Sequence, residues 1–217
     1  MSQVVSVNIG VLRVVPWTQS MGSTGIDKRP VDARVRAVGV GLESDVIVDT
    51  KNHGGYDQAV YAYAREDAEW WERELDRELT AGAFGENLTT RGVDCTGAVI
   101  GERWRVGSTL LEVSRPRIPC RTFAGFWDVP NLVKRFTQRG VPGAYLRIIE
   151  EGDLGAGDPI EIEHRPRHNV TIGEVFRALT GDRSLAKRIL EAPELPASLR
   201  EKATKLAQLD AAIRTST

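Results

Sequence analysis

Residues Arg115 to Phe123 read RPRIPCRTF and set Cys120 directly after a proline and among three arginines. Nearby positive charge lowers a thiol pKa from about 8.5 toward neutrality and favours the thiolate, the form that binds metals and attacks electrophiles. Strand alternation puts Leu111, Val113, Arg115 and Arg117 on one face. Both guanidinium groups are therefore expected to extend toward Cys120, at a rim where Pro116 and Pro119 break the ladder. The competing reading is a buried cysteine that behaves as a small hydrophobe. Cys95, in GVDCTGAV, lacks cationic neighbours and reads as structural.

Two further stretches combine glycine with polar groups. In KNHGGYDQAVYAY, Gly54 and Gly55 permit backbone angles that other residues avoid, and His53, Asp57 and Gln58 bracket the turn before a buried-looking strand. That is either a pocket wall or an ordinary hairpin with a surface histidine. In GAFGENLTTRG, Phe84 lies between small residues, and Asn87 can cap backbone groups or a ligand, although a plain structural turn has the same signature. The chain has no CxxC, HExxH, P-loop or GxSxG, and no GxGxxG after a strand. His164 and His168 are four apart, but the intervening Arg-Pro-Arg prevents a regular helix and argues against a zinc site.

The elements that would position these groups are mostly short. VVSVNI, DARVRAVGV, DVIVDT, AVYAY, RWRV, TLLEV, AYLRII and PIEIE read as strands separated by Gly, Pro and Asp, which predicts a mostly antiparallel, barrel-like body. One helix interrupts them: Ala68, Trp71, Leu75 and Leu79 recur at helical steps, with Gly82 just past the end. After HRPRHN the character changes. Thr171 and Glu174 have the spacing of a capping box, and IGEVFRALTG, SLAKRILEA and SLREKATKLAQLDAAIR read as three helices split by the Pro193 to Pro196 breaker. The expected organisation is an α+β, mainly β domain over 1–164 and a three-helix unit over 168–217. That unit is too small to build a large core alone, so its helices are expected to pack on each other or on the body.

With 217 residues and 41% hydrophobic content the chain can bury a sizeable core. The balance of 29 basic against 30 acidic side chains leaves a net charge of -1, so no global field favours nucleic acid or an anionic membrane. A modest basic excess after residue 165 reads as a solvated face, and no stable nucleic-acid partner is expected. No secretory leader pattern and no long apolar run is present, which predicts a cytoplasmic protein without membrane partners. In that reducing compartment both cysteines are expected to be free thiols.

Taken in order, NHGGYDQAVYAY, AFGENLTTRG and VSRPRIPC resemble the MOSC family, the domain named after the C-terminal part of molybdenum cofactor sulfurase. With STGIDKRPV and the closing helices, the chain is similar to MOSC proteins of the YiiM type over nearly its whole length. The resemblance implies a β-rich, barrel-like fold and a molybdenum–pterin cofactor (molybdenum cofactor, Mo-molybdopterin) with Cys120 as the protein ligand to the metal. It also implies reduction of N-hydroxylated compounds, such as 6-hydroxylaminopurine, to amines, with electrons from a separate reductase. Within that reading His53 and Asp57 deliver protons or orient substrate. Lys28, Arg115 and Arg117 face the cofactor's anionic end, and Gly54, Gly55, Phe84 and Asn87 shape the pocket. Two other classes stay open: a carrier that holds a persulfide or the cofactor on Cys120 without redox turnover, and a metal-free Cys-His hydrolase using Cys120 and His53. Two positions depart from the family pattern. Ser44, in LESD, stands where glycine is common, and Glu102 stands where an Asp after IG is frequent. Both bear on local backbone geometry and, through it, on substrate preference.

Overall fold

The protein is described here by a computed structural model covering residues 1–215. Its strands are β1 (Gln3–Gly10), β2 (Arg13–Val14), β3 (Ser23–Thr24), β4 (Lys28–Val31), β5 (Val35–Val38), β6 (Gly41–Leu42), β7 (Val60–Ala64), β8 (Leu88–Arg91), β9 (Arg103–Val106), β10 (Thr109–Pro116), β11 (Ala144–Glu150), β12 (Gly152–Leu154) and β13 (Ile160–His164). Helices are α1 (Arg65–Leu75), α2 (Arg121–Trp127), α3 (Leu132–Arg139), α4 (Ile172–Thr180), α5 (Ala186–Ile189) and α6 (Ala197–Thr215).

One sheet carries the body, in the order β13-β9-β10-β11-β7-β8-β1-β4. Its pairs are antiparallel except β7 with β8, which are parallel and joined through α1. The expected α+β architecture with short antiparallel strands is what the chain adopts. The sheet curls strongly, yet it does not close into a barrel. At the seam Gln3 forms a single isolated bridge with Pro159, supported by Ile160 N–H donating to the Ser2 carbonyl at 2.9 Å. The reason lies in β1: its second half spends its free edge on β4, through Val7 to Gly10, so only its first residues can reach the strand across the gap.

Strand β7 explains how the core divides. All five of its residues are buried, with Val60, Ala62 and Ala64 in an aliphatic core and Tyr61 and Tyr63 in an aromatic one. A strand covered on both faces loses the polar alternation of a half-exposed strand. The aromatic core holds Trp71 of α1, Phe84, Phe123 and Trp127 of α2, and Phe136 of α3. Full burial of such side chains contributes roughly 1.5–3 kcal/mol each. Helix α1 stops four residues before the predicted end at Leu79. Asp76 adopts the left-handed conformation at φ 49°, and the Glu72 carboxylate accepts the Leu79 N–H at 2.8 Å.

The DVIVDT segment is not a strand, despite its β-branched composition. The Val46 carbonyl lies so close to the backbone of Gly25 that a Cβ there would come within 2.0 Å of it. The segment therefore lies against glycines instead of entering a ladder. Thr171 caps α4 as its spacing predicted: its Oγ1 accepts from Glu174 N–H at 3.2 Å, and the Glu174 carboxylate accepts the Thr171 N–H at 2.8 Å. The C-terminal helices do both things open to them. They pack on one another, and Val170, Ile172, Val175, Ile189, Leu195 and Leu199 join the aliphatic core alongside Ile100, Trp104 and Val113 of the body.

Candidate functional site

A cleft of about 670 Å³, counted with its open mouth, lies where the curled sheet meets α2. Its walls are Met21 and Ser23 to Ile26 from the excursion after β2, the Asp45–Asp49 loop, the turn with His53, Gly54 and Gln58, and Tyr61 and Tyr145 of the sheet. Lys28, Gly85, Asn87, Arg117, Cys120 and Thr122 complete them.

Cys120 is the residue before the first turn of α2 and is only partly buried. Burial alone would raise its pKa. A hydrogen bond with His53, the charge of Arg117 and the Phe123 backbone amide outweigh burial and bring the thiol down to about 6. At neutral pH it is a thiolate. Cys95 behaves oppositely: fully buried beside the Thr90 hydroxyl, its thiol is pushed up to about 12 by desolvation.

Arg117 is the buried cation of the site. Its guanidinium lies 4.3 Å from the Phe123 ring centre and 5.2 Å from that of Tyr61, and Nη1 donates to the Phe84 carbonyl. Its Nε has no hydrogen-bond partner. A buried donor left unpaired costs about 1–3 kcal/mol. A β-bulge between Val113 and Arg115 alters the alternation assumed from the sequence. Val113 enters the aliphatic core while Arg117 lies against the aromatic one, so these two do not share a face.

Lys28 and Asn87 reach the cleft but already have partners. Lys28 Nζ contacts the Asp45 carboxylate at 2.5 and 2.6 Å, and burial lowers its pKa more than Asp45 raises it. The same carboxylate accepts from Gly10 N–H at 2.7 Å and from Asn87 Nδ2 at 2.9 Å. Asn87 Oδ1 in turn accepts the Tyr61 N–H at 3.1 Å. The adjacent Glu86 accepts from Gly82 N–H at 2.7 Å, Phe84 N–H at 2.9 Å and Thr89 Oγ1 at 2.8 Å, which shapes the FGEN turn from within.

Of the residues singled out in the sequence, Lys28, His53, Gly54, Asn87, Arg117 and Cys120 come together in the cleft, and Gly55, Asp57, Phe84 and Arg115 do not line it. Phe84 is stacked under the site on Tyr63, centroids 3.9 Å apart. Asp57, expected with His53 to deliver protons or orient substrate, is instead paired with Arg147 Nε at 2.7 Å. Arg115 is half-buried on the strand outside the lining. Asp45, Tyr61 and Tyr145 are cleft residues that sequence reasoning missed. The tyrosines sit in strands read as core. For Asp45 there is a local signal: the preceding Ser44 holds φ 65°, a conformation that marks a forced turn.

The profile of the MOSC domain matches residues 49–161. This chain belongs to the MOSC family. It is 35% identical to the uncharacterized protein YflK of Bacillus subtilis, over 78% of this chain and 76% of that one. It is 33% identical to protein YiiM of Escherichia coli, over 70% and 68% of the two chains. A protein named reductase from Gibberella moniliformis is 29% identical over 80% of this chain, which spans about a third of that larger protein (32%). The crystal structure of YiiM from Geobacillus stearothermophilus superposes with a TM-score of 0.79 at 31% identity, covering 95% of this chain and 99% of that one. Membership of the MOSC family points to molybdenum-cofactor-related chemistry.

The residues present fit such a group on their own terms. Among the described residues no cluster of three or more His, Cys, Asp and Glu side chains is arranged to hold a bare metal ion. A metal bound here would have to arrive largely ligated, with one soft thiolate, Cys120, to complete it. Among the described residues no helix is long and apolar enough to cross a membrane.

Proposed function

We propose that this MOSC protein is a molybdenum-cofactor-dependent reductase of N-hydroxylated compounds, such as hydroxylaminopurine-type bases, working with a separate electron-donating reductase. The observation that carries the reading is the Cys120 thiol, brought down to about 6 on the wall of a cleft it shares with His53 and Arg117. The name of the Gibberella relative, a reductase, agrees with a redox role. The net reaction consumes two electrons and two protons and turns R–NHOH into R–NH₂ and water.

When bound, the cofactor supplies the two-electron redox centre. Cys120 would hold its metal, because the thiolate is the ligating form and is already favoured before anything binds. Arg117 would offer its positive charge to an anionic or acceptor group at the cleft wall. That falls to Arg117 and not to Lys28, whose charge Asp45 already neutralises. His53 lies at hydrogen-bonding range of Cys120 and lines the cleft, so its imidazole can hold a proton next to the reacting hydroxyl. Tyr61 and Tyr145, with pKa values raised by burial, remain neutral in the wall, where the Tyr61 hydroxyl already donates to the Pro142 carbonyl at 2.8 Å.

The test is the molybdenum content of wild type against Cys120→Ala, both purified from cells that make the pterin cofactor, with N-hydroxylamine consumption under an artificial reductant. Stoichiometric metal and turnover in wild type, both lost in the variant, are expected. Stoichiometric metal with no consumption of any N-hydroxylated substrate would replace the reductase by a cofactor carrier. Turnover that survives complete metal removal would point to the Cys-His hydrolase.

A further inference from the structure

The turn that brings His53, Gly54 and Gln58 to the cleft is built on two consecutive glycines at positive φ, 75° at Gly54 and 79° at Gly55. Such a turn is not rigid by its own propensity. Its side-chain ties to the sheet pass, among the described residues, through Tyr56, whose ring centre lies 5.5 Å from the Arg147 guanidinium, and through Asp57. The Asp57 carbonyl accepts from Ser114 Oγ at 2.7 Å, and its carboxylate accepts from Arg147 Nε at 2.7 Å.

Arg147, on β11, is 8% exposed and uses all three of its guanidinium nitrogens on different parts of the chain. Besides Asp57, its Nη1 donates to Glu112 Oε1 at 2.9 Å, and its Nη2 donates to the main-chain carbonyl of Glu194 at 2.9 Å. Glu194 belongs to the Pro193–Pro196 connection between α5 and α6. Its side chain packs over Gly101, where a Cβ would meet it at 2.6 Å, and its Oε2 contacts His168 Nε2 at 3.1 Å. A planar fork with fixed donor directions can hold three acceptors in one geometry, which a lysine cannot do.

We propose that Arg147 is a positioning residue for the cleft: it ties the C-terminal helical unit, through the Glu194 carbonyl, to the turn that presents His53, Gly54 and Gln58. The inference rests on the proposed reading of the cleft as a reaction site, but its geometry does not depend on the substrate. It gives the C-terminal helices a task in the cleft that none of their side chains performs by lining it.

The experiment is backbone amide exchange on the apo protein, comparing wild type, Arg147→Lys, Arg147→Met and Arg147→Met with Glu112→Gln. The last variant removes the buried cation together with its buried partner, so it keeps the question open if Arg147→Met fails to fold. Asp57→Asn and the double variant with Arg147→Met complete a cycle. The expected result is exchange about tenfold faster at residues 53–58, with protection of β10 and β11 retained, no rescue by lysine, and no further increase in the double variant. Protection of 53–58 equal to wild type in a folded Arg147 variant overturns the inference. Turnover is measured alongside: kcat falls about tenfold or more while molybdenum content stays at the wild-type level. Exchange decides the positioning role whatever the enzymology shows, and inactivity of the wild type would sink only the reductase reading.

Discussion

Cys120 combines partial burial, which disfavours its charge, with a histidine, an arginine and a backbone amide that favour it, and the second group wins. Alkylation of the apo protein with iodoacetamide should therefore reach half its plateau rate near pH 6, whereas Cys95, held up at about 12, stays unreactive at neutral pH. His53→Ala should move the Cys120 midpoint upward, and a midpoint unchanged from wild type would remove His53 from the thiol's surroundings. The same shift has a consequence for stability. A thiol lowered from 9.0 to about 6 contributes stability that is fully present above pH 9 and lost as pH falls through 6. Urea titrations of apo Cys120→Ala should show the stability difference from wild type growing in the wild type's favour between pH 6 and pH 9. A difference that stays flat across that window would contradict the assigned pKa.

Among the elements, α4 is the best specified locally. The Thr171 and Glu174 side chains satisfy each other's backbone amides, so Thr171→Ala should cost about 1 kcal/mol, measured as a lower urea midpoint at unchanged slope. A loss below about 0.3 kcal/mol would show that the cap is redundant with the packing of Ile172 and Val175. Strand β10 shows the opposite situation. Its alternation looks continuous in the sequence, but the bulge before Arg115 is set by pairing with β11, a partner some thirty residues away. The DVIVDT segment fails as a strand for a similar reason. Its β-branched residues satisfy a local preference, while close backbone approach at Gly25 leaves it no ladder to join.

Across the whole molecule, the helical C-terminus and the sheet share one aliphatic core, and Phe176 of α4 also reaches the aromatic core, with its ring 6.5 Å from that of Phe136. Phe176→Ala should cost about 3–5 kcal/mol, well above the loss at Thr171, because it opens a cavity between the two parts. Unfolding followed by tryptophan fluorescence and by far-ultraviolet circular dichroism should give coincident transitions. Separate transitions would show that the helices fold apart from the sheet. The five tryptophans make this sensitive, since Trp71, Trp104 and Trp127 are all buried in the body.

Local chemistry was legible in the sequence wherever one residue type is needed at one place. The thiol among arginines, the paired glycines beside His53, the capping box of α4 and the order of the three MOSC blocks are of this kind. Most short strands were readable too, because β-branched runs between turn residues have few alternatives. The short helices α2 and α3, the parallel β7–β8 pair and the bulge in β10 were not, since each depends on what the segment packs against. The same applies to partnership. That Asp57 belongs to Arg147 and not to His53, that Lys28 is spent on Asp45, and that Tyr61 and Tyr145 face the cleft all follow from contacts between segments remote in sequence. Spacing specifies which groups a short segment can present, whereas burial and charge pairing, which set their pKa values and their freedom to bind, arise only when the sheet curls and brings distant strands together.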